Sequence, residues 1–167
     1  PDSRSRDVSI DELLDLEQQA EFFIVLGQDD AAIELLVEHL RSSGGSSPLP
    51  YLKLMDIYRR RGDAADYERT RERFNHGFNA FAPAWTDDLS QGRTLEAYPE
   101  VIARLQQSWP NAADAMADLE ALLLRSDGHE LFDLPAYRDV LSLYSLARDR
   151  LEHGEDGPSK IDVLLPL

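Results

Sequence analysis

The chain of 167 residues contains no cysteine, which excludes disulfide scaffolds and thiolate metal sites and leaves the redox compartment open. No apolar run approaches the roughly 18–20 residues that span a bilayer, and no signal-peptide pattern is present. The chain begins with Pro rather than Met, so the expectation is an excised piece of something longer, with any membrane anchor in the parent chain. Positive charge is scarce. There are 17 Lys and Arg against 32 Asp and Glu, a formal charge of −15 that opposes binding to nucleic acid or to anionic lipid. Residues 7–40 hold ten carboxylates and no Lys or Arg at all, whereas residues 53–73 hold seven basic and five acidic side chains, including Arg59, Arg60 and Arg61. One reading is an acidic end joined to an Arg-bearing middle; the other is solvated helix faces with ordinary i,i+4 pairs.

What remains is enough for a folded domain of ordinary size. Hydrophobic residues make up 43% of the chain, enough to bury a core, and 29% are charged. After a loose polar start, "SIDE" (Ser9 to Glu12) matches a capping box. Leu13, Leu16, Ala20, Phe23 and Ile24 then recur at helical spacing to about Leu26, where Gly27 ends the run. "QDD" restarts a helix with acids at its positive dipole end, and Ala32, Leu35, Leu36, His39 and Leu40 share one side. "RSSGGSSPLP" closes it as a loop. From Pro48 the order of signals repeats: an apolar stripe of Tyr51, Leu54, Met55 and Tyr58, a stop at Gly62, a restart at "DAAD", and a helix to about Phe78.

Gly27 and Gly62 lie 35 positions apart, and a helix–turn–helix recurring at about 34 residues is the signature of tetratricopeptide arrays. Residues 13–78 resemble two such units, with small Ala20 and Ala32 where paired helices cross closely. The second unit departs from the family at Met55 and Tyr67, where small residues are preferred, and its spacing is one residue too long. The resemblance implies an all-α fold of antiparallel helix pairs stacked in a short superhelix. The expected layout is a flexible segment over 1–8, two helix pairs over 9–78, an irregular helical cap over 79–153 in the same domain, and a linker with an apolar tail over 154–167. The cap should contain helices around "YPEVIARLQQSW", "AADAMADLEALLLRS" capped by Asn111 and ending at Asp127–Gly128, and a last helix opened by Asp133 and Pro135. That last helix carries the stripe Tyr137, Val140, Leu141, Tyr144, Ala147 and Leu151. In total this makes seven main helices and no firm strand. The stretches "ELLDLEQQAEFFIVLGQDDAAIELL" and "SPLPYLKLMDIYRRRGD", with the apolar end "VLLPL", are also similar to the cytoplasmic C-terminal regions of bacterial FimV-type proteins that organise pili and the cell pole.

Catalysis needs groups that converge, and the sequence offers few. His39, His76, His129 and His153 are far apart, and no P-loop, dinucleotide fingerprint or nucleophile elbow occurs. "DGHELFD" gathers Asp127, His129, Glu130 and Asp133, but without an EF-hand pattern it reads better as a helix connection than as a cation site. No enzyme activity, cofactor or metal is expected. Carrying the family's groove-facing pattern over gives Leu14, Glu17, Glu21, Ile24 and Val25 from the first unit. The second contributes Leu49, Leu52, Asp56, Arg59 and Arg60. The resemblance therefore implies a concave groove in which Glu17, Glu21, Asp56, Arg59 and Arg60 set charge complementarity and Ile24 and Leu52 anchor apolar groups. Its partner would be a protein or peptide with basic and apolar residues, not nucleic acid, bound without direct membrane contact by this piece and inside the cell. Either later helices or the tail cover that face, or it is free. Ile161, Val163, Leu164 and Leu165 are apolar enough to dock, on this chain or on another protein. The expected function is a non-enzymatic adaptor or scaffold domain of a bacterial protein. The alternative is an acidic inhibitor that masks a basic surface with residues 7–40.

Overall fold

The computed structural model describes residues 10–125 and 130–154. The expected cap at Ser9, the residues Asp127 and His129, and the tail with Ile161, Val163, Leu164 and Leu165 lie outside the described residues. The fold is all-α with stacked helices, in two compact units. One takes in the described residues up to His76 together with Ala84–Thr86; the other takes in Gly77–Pro83 and the described residues from Asp87 onward.

The first unit holds α1 (Ile10–Val25), α2 (Asp29–Ser43), α3 (Pro48–Arg61) and α4 (Ala64–Gly77, whose last residue belongs to the second unit). Its two corners close with the same bonds. At the end of α1, Gly27 N–H donates to Ile24 O and Gln28 N–H to Phe23 O. At the end of α3, Gly62 N–H donates to Arg59 O and Asp63 N–H to Tyr58 O. Both are Schellman closures, which need a left-handed residue just past the helix. Gly27 and Gly62 adopt φ of 77° and 80°, and a Cβ at either would meet nothing within 4 Å. The requirement is therefore conformational, not a matter of space. Ala20 and Ala32 are wholly buried, which lets α1 and α2 approach closely. Below them the core is filled by Leu36, Met55, Ile57, Tyr67 and Phe74. Ser47 opens α3, its Oγ accepting from Leu49 N–H, with Pro48 at the first helical position, where a missing N–H costs nothing.

The second unit holds a 3₁₀ turn over Leu95–Ala97, then α5 (Pro99–Ser108), α6 (Ala112–Leu123) and α7 (Leu134–Glu152). As expected, Asn111 caps α6, its Oδ1 accepting from Asp114 N–H at 3.0 Å. Two features differ from the sequence expectation. A small parallel pair joins β1 (Ala80–Phe81) to β2 (Phe132–Asp133), and α6 stops at Leu123 rather than near Gly128. Both follow from Asn79. Its buried Nδ2 donates to Leu122 O and Glu130 O, its N–H donates to Leu123 O, and its carbonyl accepts from Phe132 N–H. Leu124 is thereby drawn into an extended conformation and bridges Phe78 in antiparallel fashion, which ends the helix. The expected stripe on α7 is buried at Tyr137, Val140 and Ala147 and half-buried at Leu141 and Tyr144, but Leu151 is exposed, so only the first four turns of the helix face the core.

Candidate interaction surface

Two of the expected groove charges, Glu21 and Arg60, are engaged in ion pairs within the first unit. Lys53 on α3 pairs with Glu21 on α1 at 2.7 Å, Arg60 with Asp29 at 3.1 Å, and Arg61 with Asp30 at 2.7 Å. The partners are 31 or 32 positions apart, close to one repeat length, so each pair ties the second hairpin to the first. The acidic stretch and the Arg-bearing stretch thus face one another across the hairpins. The Lys53 ammonium, hydrogen-bonded to Glu21, lowers that carboxyl below its ordinary value. The Asp30 carboxylate in the same way raises Arg61 above its ordinary value.

Arg59 is turned to a different task. Its guanidinium lies 5.2 Å from the Tyr67 ring centre and 5.5 Å from that of Trp85, and the two rings meet edge to face at 5.4 Å. Trp85 is held there by its backbone N–H, which donates to Glu68 Oε2 at 2.9 Å. An arginine stacked on two aromatic faces in a half-buried site is a packing element of the hairpin. Leu52 corrects the sequence expectation outright. At 2% exposure it belongs to the core and offers nothing to a partner. It lies on the same flank of α3 as the buried Met55, so the face that a groove pattern assigns to a ligand is filled from within. Ile24 and Asp56 are half-buried, whereas Glu17 is exposed.

In the first unit the exposed large apolar side chains lie along α1 and its end. Phe22 is 60% and Val25 73% exposed, and Leu14 and Leu26 are also exposed. At 100° per residue these four fall on an arc of about 120°, opposite the buried Leu16 and Ala20. Phe22 and Phe23 form, with Asp15, Gln18 and Gln19, the walls of a shallow hollow on this face. Glu17 and Glu21 stand along its edge. Leu14 and Val25 were on the sequence-derived groove set, and Phe22 and Leu26 were not. The signal that finds them is their angular position, away from the apolar stripe that builds the core.

In the second unit Arg93, Asp133 and Tyr137 are tied down. Arg93 Nε donates to Asp133 Oδ2 at 3.0 Å, Arg93 N–H donates to the same oxygen, and the guanidinium covers the Tyr98 ring at 4.6 Å. These bonds from Arg93 lower the Asp133 carboxyl below its ordinary range. Asp133 stands at the start of α7, yet its carboxylate is taken by Arg93 rather than by the helix's own N–H groups. Burial pushes the Tyr137 phenol far up, and its hydroxyl donates to Leu123 O. Among the described residues no group of three or more Asp, Glu or His side chains is placed to hold a metal ion, and no helix is long and apolar enough to cross a membrane. No family model matches the chain, and neither does any curated protein or solved structure compared with it.

Proposed function

We propose that the chain is a non-enzymatic protein-binding module, an adaptor or scaffold domain, that receives an amphipathic helix or peptide on the exposed face of α1. The observation that carries this reading is the apolar arc of Leu14, Phe22, Val25 and Leu26, bordered by Glu17 and Glu21. Exposed apolar side chains gathered on one face and interspersed with polar and charged ones, here Asp15 and Gln18, are what protein contacts use. A partner with aliphatic groups on one face and Lys or Arg beside them matches it. In this proposal the hairpins are tetratricopeptide units of a larger bacterial organiser of pili or the cell pole, acting inside the cell. The support is the matched pair of glycine closures and the ion pairs spaced by one repeat.

The competing reading, an acidic inhibitor of a basic surface, needs the carboxylates of residues 7–40 to be available. Glu21, Asp29 and Asp30 are engaged by α3, which weakens that reading. Fluorescence anisotropy with a labelled amphipathic peptide, LKKLLKLLKKLLKL, separates the two. Contact through the apolar arc predicts that Phe22→Asp with Val25→Asp weakens binding by about tenfold or more. It also predicts only a modest loss between 0.05 and 0.5 M salt, concentrations at which charge-only binding collapses. Binding that ignores the double substitution and vanishes with salt would favour the inhibitor.

A further inference from the structure

A second surface lies on the opposite face of α3. Tyr51, Leu54 and Tyr58 project away from the face that carries Lys53 and Arg60, because 100° per residue sets the two groups about half a turn apart. Together with the end of α2, the Gly44–Gly45 loop and α4 they wall an open cleft of about 390 Å³. That volume falls in the range of ligand-binding clefts. Its floor is aliphatic, from Val37, Leu40 and Leu54, and its rim is cationic, from Arg41, Arg69 and Arg73. Asp66 stands among them and pairs with Arg69, and Glu38, one turn before Arg41 on α2, pairs with Arg41 at 2.5 Å. Both are exposed pairs, weak and exchangeable. Arg73 has no ion-pair partner among the described residues.

Three guanidinium groups on one rim are unexpected in a chain of net charge −15, where 17 basic residues face 32 acidic ones. Like charges drawn together cost free energy unless anions offset them. Here Glu38 and Asp66 offset Arg41 and Arg69 only through exposed pairs, and Arg73 has none among the described residues, so the cleft keeps an excess of positive charge. The wall is also fitted closely. Gly45 has φ of 71°, and a Cβ there would stand 2.5 Å from the Tyr51 hydroxyl oxygen. The phenol therefore occupies the space that the missing side chain leaves. A shallow aliphatic floor with phenols at one side and guanidinium groups above accepts apolar side chains and carboxylates from one short segment.

We propose that this cleft binds a peptide segment bearing carboxylates among aliphatic side chains, with its acids on Arg41, Arg69 and Arg73 and its aliphatic groups on Val37, Leu40 and Leu54. This site goes beyond the proposed contact on α1, to which it is opposite in charge preference. The test is titration of the full chain with a labelled peptide, LDLEL, and with its neutral isostere, LNLQL. The expected result is saturable binding of LDLEL and at least about tenfold weaker binding of LNLQL, since the charge-assisted bonds are lost. Arg41→Glu with Arg73→Glu, both exposed positions, should abolish LDLEL binding while leaving the thermal melting curve in place. Gly45→Ala should weaken it by displacing Tyr51. Phe22→Asp should leave it unchanged, so failure here is distinguishable from failure of the α1 contact. Equal binding of the two peptides, absence of LDLEL binding, or full displacement by millimolar inorganic phosphate would each overturn the proposal.

Discussion

The two units are made of the same element, the amphipathic helix, but their long-range polar contacts differ in kind. In the first unit, apart from the Trp85 backbone N–H on Glu68, these contacts join charged side chains at the surface, about one repeat length apart, as in Lys53–Glu21 and Arg60–Asp29. The second also has surface pairs, as at Arg93–Asp133, but most of its long-range contacts run between side chains and backbone. They are buried at Asn79 to Leu122 O and Tyr137 to Leu123 O, and partly or fully exposed at Asn79 to Glu130 O, Arg150 to Trp109 O and Pro110 O, and Leu95 N–H to Asp139. Exposed ion pairs are individually weak and replaceable. A buried bond to the backbone is neither, because removing the side chain strands a carbonyl away from water. The repeat unit should therefore tolerate polar substitution better than the irregular one.

The strongest way to break this contrast is at Asn79. Asn79→Leu removes the donors from the buried Leu122 carbonyl and the partly buried Glu130 carbonyl and should cost about 2–4 kcal/mol, read as a lower midpoint in urea unfolding. A cost under about half that would place Asn79 with the dispensable surface pairs. Next come the matched corners. Gly27→Ala and Gly62→Ala should each cost about 1–2 kcal/mol, since each forces a Cβ into the left-handed region without any steric clash. Similar losses at both would support two equivalent closures, and a loss at only one would break the equivalence. A double-mutant cycle on Glu21→Gln and Lys53→Met should return a coupling under about 1 kcal/mol that shrinks as salt rises.

Acid should affect both units modestly and in the same direction. Glu21 and Asp133 titrate below their ordinary values of 4.5 and 3.8, the first through Lys53 and the second through Arg93. A depressed carboxyl contributes stability that is present above the unfolded value and is lost as pH falls through the folded one. The melting temperature should thus decline below about pH 4.5, and Asp133→Asn should flatten part of that decline.

Much of the first unit could be read from residues alone, because repetition supplies its own check. Gly27 and Gly62, Ala20 and Ala32, and the four helix ranges follow from periodicity and stop signals. The use of the charges could not be read so directly. Local spacing offers i,i+4 partners, whereas Asp29 and Arg60 meet only when two hairpins stack. Leu52 was misplaced for a related reason: a family's groove pattern specifies a helix face, but here neighbouring helices fill that face. Nothing in the sequence marks Asn79, since a single amide in an aromatic, Pro-punctuated stretch gives no hint that it will join two distant segments of backbone, 122–123 and 130–132. The α1 surface was half legible. Leu14 and Val25 were found through the groove pattern, and Phe22 and Leu26 needed the knowledge of which α1 face is buried.

The most direct test sets the apolar arc against the expected charged groove, using the amphipathic peptide LKKLLKLLKKLLKL on two single variants. Binding through α1 predicts that Phe22→Asp lowers affinity by about tenfold while Arg60→Glu changes it by less than about twofold, because Arg60 is already engaged with Asp29. The opposite pattern, a large effect at Arg60 and none at Phe22, would contradict the account and restore the charge-lined groove.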